Sequence, residues 1–226
     1  LTGAEALVRR IKPDGTIISP IDFIPVYEKS GLISRLDRYI WEQAAAKLGE
    51  WKKAGINMSI SVNISPKDFY YIDIFNTFAG LIKKYDIEPS NLKIEITETT
   101  IMSDVPNLMG ELEELRKAGF TLEMDDFGSG YSSLNTLKDI NVDVLKVDMG
   151  FIKETKNVKK SRIILASVIK MAKELNLLII TEGVETEEQV DNLTKLGCDV
   201  FQGYYFSKAI DINEFEKRYL YRKKAG

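Results

Sequence analysis

A chain of 226 residues that is 44% hydrophobic and 29% charged can bury one large core, and that length suits a single barrel domain better than two small ones. The net charge of −3, with no long basic run, excludes a phosphate-tracking surface for duplex nucleic acid and a patch for anionic membranes. One cysteine, Cys198, and no histidine exclude an internal disulfide and the usual zinc ligands, so any metal must be held by oxygen.

No apolar stretch approaches the roughly 20 residues that span a bilayer, and no basic-then-apolar leader is present. A cytoplasmic domain is expected, one that a membrane-anchored protein could also carry. The sequence opens at Leu1-Thr2-Gly3 without an initiator methionine, so it is expected to be a single domain, residues 1–226, excised from a larger multidomain protein.

In chain order, short runs rich in β-branched residues alternate with stretches of helical period. The predicted strands are Ala4 to Val8, Ser59 to Ile64, Leu92 to Ile96, Thr121 to Met124, Val144 to Val147, Leu178 to Ile180 and Val200 to Tyr204. A helix over 36–52 carries an apolar stripe in Leu36, Ile40, Ala44, Leu48 and Trp51; one over 161–175 carries Ile164, Val168, Met171 and Leu175. Gly55, Gly119 and Gly197 stand just past helical runs, where a left-handed residue ends a helix. Thr186 with Gln189 forms a candidate capping box. The tail from Asp211 to Gly226 reads as a final amphipathic helix ending in a basic stub, Arg222-Lys223-Lys224. The pattern is α/β with a parallel sheet, a TIM-like (β/α)8 barrel. Seven strands do not close it, so the first strand is expected upstream of Leu1.

Charged or amide side chains sit inside or at the carboxyl end of nearly every predicted strand: Glu5, Asn63, Glu95, Asp125 with Asp126, Lys146 with Asp148, Glu182 and Gln202. A strand of a parallel barrel is buried on both faces, so an unpaired charge inside it costs several kcal/mol. Taken singly, such a carboxylate is ordinarily a helix cap or a salt-bridge partner, and Lys146 alone reads equally well as a salt-bridge partner. Placed on so many strands, the set asks for one explanation. Gathered at one barrel end, Glu5, Glu95, Asp125, Asp126 and Glu182 with Lys146 leave four negative charges, which two divalent cations would neutralise. Asp125 and Asp126 repel each other without a cation. Hard ions such as magnesium or manganese fit an all-oxygen set, and a pair about 4 Å apart can grip a phosphodiester, activate water and stabilise the leaving oxygen. The residues themselves therefore point to a metal-assisted phosphoester hydrolase.

The segment Gly3-Ala4-Glu5-Ala6-Leu7-Val8-Arg9 resembles the signature of the EAL family. The resemblance continues through Ser61-Val62-Asn63-Ile64-Ser65, Ile94-Glu95-Ile96-Thr97-Glu98, Asp125-Asp126-Phe127-Gly128-Ser129-Gly130-Tyr131-Ser132-Ser133, Leu145-Lys146-Val147-Asp148, Glu182-Gly183-Val184-Glu185 and Gln202-Gly203-Tyr204, over roughly residues 1–216. It departs at Ser129, where threonine is commoner, at Met149-Gly150 in place of an arginine-serine pair, and at Ser207-Lys208-Ala209, which lacks a proline.

The resemblance implies a cyclic-guanylate-specific phosphodiesterase that hydrolyses cyclic di-GMP to linear pGpG in bacterial second-messenger signalling. It implies two Mg2+ or Mn2+ ions, with Ca2+ binding but not supporting turnover. Glu5, Asn63, Glu95 and Asp125 would hold one ion, and Asp125, Asp126 and Glu182 the second. Lys146, Glu182 and Gln202 would be catalytic; Leu7, Arg9, Asp148 and Gln202 would face the substrate. Glu98 and Glu185 would support a loop at 128–133 beside a homodimer contact. The missing first strand would run antiparallel to the rest, and a regulatory domain could precede it. The alternative is a catalytically silent cyclic di-GMP receptor or an interaction module.

Overall fold

A computed structural model describes residues 1–103, 105–128, 137–150 and 158–221, the side chain of Val158 excepted. Seven strands form one parallel sheet: β1 (Gly3–Glu5), β4 (Ser59–Asn63), β5 (Leu92–Thr97), β6 (Leu122–Asp125), β7 (Val144–Asp148), β8 (Leu178–Glu182) and β9 (Val200–Phe201), hydrogen-bonded in that order. A two-stranded antiparallel ribbon, β2 (Arg10–Ile11) and β3 (Ile17–Ile18), lies outside it. All seven predicted strands are present. The first stops at Glu5 instead of Val8, because after one more bond, Ala6 N–H to the Ser61 carbonyl at 2.9 Å, the chain leaves for the ribbon. Among the described residues β9 and β1 are not hydrogen-bonded, so the curled sheet is open between them.

Alternation along the strands separates two chemistries. Ile60, Val62, Ile94, Ile96, Leu122, Met124, Leu145, Val147 and Ile179 are buried in the hydrophobic core. The intervening positions, Ser61, Asn63, Lys93, Glu95, Glu123, Asp125, Lys146 and Glu182, are polar and meet one another. Registers such as Asn63 beside Glu95 and Asp148 beside Glu182 bring the strand ends level, so the last polar residue of each strand reaches the same rim.

Helix α2 (Ile33–Lys53) buries Trp41, Ala44, Ala45, Leu48 and Trp51, and Ile40 packs at the edge of the same core. Trp51 Nε1–H donates to Glu216 Oε1 at 2.8 Å, tying the C-terminal segment to the barrel. That segment is a short helix, Ile212–Phe215, capped by Asp211, and then a π-helical turn, Glu216–Leu220; the predicted basic stub lies outside the described residues. The helix Val158–Glu174 presents Ser161, Leu165, Ile169 and Ala172 to the core; of the predicted stripe Val168 and Met171 pack against it half-buried, whereas Ile164 and Leu175 are exposed. Three consecutive apolar residues, Ile163 to Leu165, leave its phase undetermined by period alone, and packing selects the neighbouring face. Gly55, Gly119 and Gly197 have φ of 72°, 95° and 95°, and Thr186 with Gln189 forms the capping box of helix Glu187–Leu196. Among the described residues no helix is long and apolar enough to cross a membrane.

Candidate active site

The carboxyl ends of β1, β4, β5, β6, β7 and β8 converge on the ammonium of Lys146, which is 1% exposed. Its Nζ lies 2.8 Å from Glu95 Oε1, 2.8 Å from Glu182 Oε1, 3.5 Å from Asp125 Oδ1 and 3.7 Å from Glu5 Oε2. The Glu95 contact is an aligned hydrogen bond, whereas buried Glu182 Oε1 has close charge contact with no aligned hydrogen bond.

Hydrogen bonds link the rest of the rim. Asn63 Nδ2 donates to Glu95 Oε2 at 3.1 Å and to Glu5 Oε1 at 3.4 Å, and Gln202 Nε2 donates to Glu5 Oε2 at 2.7 Å. The last contact spans the open edge between β1 and β9. Gly203 makes it possible: a Cβ there would stand 2.1 Å from the Val184 carbonyl oxygen, so the chain after Gln202 can cross the end of β8 only without a side chain. Trp41 Nε1–H donates to the Asn63 carbonyl at 3.0 Å, anchoring the end of β4 from the helix layer.

Asp126 follows at φ 55°, its N–H donating to Asp125 Oδ1 at 2.9 Å. This left-handed step lets adjacent carboxylates diverge from one strand end. Partial burial and the charges of Asp125 and Asp148 raise its carboxyl above the usual range. Burial raises Glu95 well above that range, Lys146 opposing and Glu5 and Asp125 adding to the rise. Burial likewise brings Glu182 to about 7, against the pull of Lys146. For Lys146 burial acts downward, but Glu95, Glu5, Glu182 and Asp125 outweigh it and hold the ammonium charged.

The remaining predicted residues lie around this centre. Asp148 is exposed at the end of β7 and accepts from Gly150 N–H. Leu7 is 46% exposed beyond β1, and exposed Arg9 donates from Nη1 to the Val8 carbonyl, so neither touches the acidic centre. Glu98 is wholly buried at the start of the short helix after β5; Glu185 is exposed beyond β8. Of the loop predicted at 128–133, only Gly128 is among the described residues.

One buried layer escaped the sequence reading. Glu123, fully buried beneath the rim, accepts from Lys93 Nζ at 2.8 Å and from Ser61 Oγ at 2.7 Å. The signal was the two-residue period: Ser61, Lys93 and Glu123 precede Asn63, Glu95 and Asp125 by two positions on their strands.

The donor chemistry fits hard divalent cations, since Glu5, Asn63, Glu95, Asp125, Asp126 and Glu182 offer oxygen alone. Among the described residues, no three acidic side chains are already arranged to hold a metal; the ring closes on Lys146 instead.

Fold and site together define a (β/α)-barrel protein with a charged, acid-rich centre at the carboxyl ends of its strands. The chain belongs to the EAL domain family, whose profile matches residues 1–209. It is 36% identical over 217 residues to the signaling protein YkoW of Bacillus subtilis, covering 96% of this chain and 27% of that protein. It is 35% identical to the bifunctional diguanylate cyclase/cyclic di-GMP phosphodiesterase MucR of Pseudomonas aeruginosa, covering 92% of this chain and 30% of MucR. The chain therefore spans less than a third of each of these proteins. A solved structure of the PaMucR phosphodiesterase in its c-di-GMP complex matches with a TM-score of 0.86 at 34% identity, covering 93% of this chain and 86% of that one.

Proposed function

We propose that this domain is a metal-dependent phosphodiesterase that opens cyclic di-GMP to linear pGpG. The observation that carries the reading is the convergence of Glu5, Asn63, Glu95, Asp125, Glu182 and Gln202 around Lys146. Membership of the EAL family and similarity to a named cyclic di-GMP phosphodiesterase and its c-di-GMP complex support the choice of substrate.

Glu5, Asn63, Glu95 and Asp125 would hold one Mg2+ or Mn2+ ion, with Asp125, Asp126 and Glu182 holding a second. Two such ions supply polarisation of the phosphodiester and activation of water. The protein's own part is positioning. Asn63 and Gln202 fix the Glu5 carboxylate from two sides, so its oxygens cannot turn away from the centre. Lys146 orients the attacking water by a hydrogen bond from Nζ, and its charge offsets the negative charge that builds on phosphate. Arg9, on the exposed segment beyond β1, exchanges its bond to the Val8 carbonyl for a bidentate contact with a substrate phosphate. Exposed Leu7 supplies an apolar wall for a guanine.

Chromatographic detection of pGpG after incubation with cyclic di-GMP and manganese tests the reading. Turnover that Asp126→Asn eliminates is the expected result. Retained binding with no turnover in the unaltered protein would make it a receptor. Arg9→Ala is expected to raise KM more than it lowers kcat, because its site lies away from the acidic centre.

A further inference from the structure

We infer that Lys146 is a built-in counter-ion that holds the carboxylate ring assembled before metal binds and whose charge opposes the incoming ions; this rests on the metal-dependent reading above. Four carboxylates from four strands lie within 3.7 Å of one Nζ, the two nearest at 2.8 Å. Without a central positive charge Glu5, Glu95, Asp125 and Glu182 would repel one another in a mostly buried place that water screens weakly. Glu95 is 1% exposed, so solvent does little to offset that repulsion.

The ammonium and a divalent ion draw on the same carboxylates, but each carboxylate has two oxygens with several lone pairs, so the two cations compete through their charges and not by exclusion. Glu182 Oε1 stands in close charge contact with Lys146 at 2.8 Å. Glu95 is bound more firmly, with Lys146 on Oε1 and Asn63 on Oε2. In this role Lys146 is a positioning residue: it keeps strand ends from splaying apart in the metal-free protein, at the cost of competing with the ions.

The test compares unaltered protein with Lys146→Met by thermal melting in EDTA and through a Ca2+ titration, which reads binding without turnover. The expected result is a lower melting temperature for the variant in EDTA, a larger Ca2+-induced rise, and a Ca2+ midpoint at least about tenfold lower, because no ammonium charge opposes the ion. Equal melting temperatures in EDTA, or equal Ca2+ midpoints, would overturn the inference. Should the variant not fold in EDTA, recovery on adding Ca2+ supports the inference, and failure to fold at saturating Ca2+ overturns it.

A measurement on the unaltered protein stands beside this. The buried Lys146 ammonium should give a slowly exchanging 15N–1H signal that shifts or vanishes as Ca2+ saturates; a signal unchanged at saturation overturns the proposal. If the unaltered protein binds neither Ca2+ nor Mn2+, the metal-dependent function and this inference fall together. If it binds them with the variant indistinguishable, only this inference falls.

Discussion

Two clusters of buried acid stabilise themselves in different ways. At the barrel mouth Glu5, Glu95, Asp125 and Glu182 surround the ammonium of Lys146. Behind the end of β4, Asp37 of α2 and wholly buried Asp68 act on each other, with Glu28 also facing Asp37; among the described residues neither forms an ion pair with a lysine or arginine. There burial, followed by the charge of Asp68, lifts Asp37 to about 9, so a proton takes the place of the counter-charge that Lys146 supplies in part at the mouth. The lesson is one of function. Burial raises carboxyls in both places, but at the mouth Lys146 pulls Glu95 and Glu182 back towards the charged form that another cation needs, whereas every group acting on Asp37 raises it further.

The largest expected break falls at the mouth. Asp125→Ala removes an oxygen donor assigned to both ions and is expected to lower turnover by at least about a hundredfold, read as pGpG formed per unit time with Mn2+. Folding should persist, since Lys146 keeps Glu95 and Glu182 as partners. Near-normal turnover would remove Asp125 from the site. Next comes the layer below. Lys93→Met strands the carboxylate of Glu123 in the barrel interior with Ser61 as its one partner among the described residues, and is expected to cost about 3–5 kcal/mol in urea unfolding. Adding Glu123→Gln should return most of that loss. A double variant no more stable than the single one would show that Lys93 acts through packing and not charge.

Much of the mouth was legible before any coordinates, for a physical reason. A carboxylate in a buried strand violates the apolar pattern, so Glu95 and Asp125 announce themselves, and a parallel sheet brings strand ends to one rim without further information. The lower layer was equally visible in principle, because Lys93 and Glu123 violate the same pattern, but it lay away from the strand ends where chemistry was sought. Asp37 and Asp68 were not legible. Each sits in a helical stretch where an acid is ordinarily solvated, and only the packing of α2 against the turn at Ser65–Asp68 buries them; the Ser65 N–H to Asp68 Oδ2 bond at 2.8 Å is part of that turn. The phase of helix Val158–Glu174 was hidden differently, since an excess of apolar residues offered two faces of equal merit.

The smallest expected effect sharpens the contrast through pH. The folded carboxyl of Asp37 titrates near 9, far above its ordinary 3.8, so between those values the unfolded chain releases a proton that the folded chain keeps. Stability from this pair is therefore complete below about pH 4 and declines as pH rises towards 9, the pair titrating as a unit. Asp37→Asn fixes the site in the uncharged state at every pH. The variant is expected to melt above the unaltered protein at pH 8, by an amount on the order of 1–3 kcal/mol, and to show a flatter melting profile from pH 5 to pH 9. Turnover should be unaffected, because the pair lies outside the carboxylate ring that Lys146 holds. A variant with the same pH slope as the unaltered protein would place the proton elsewhere than on Asp37.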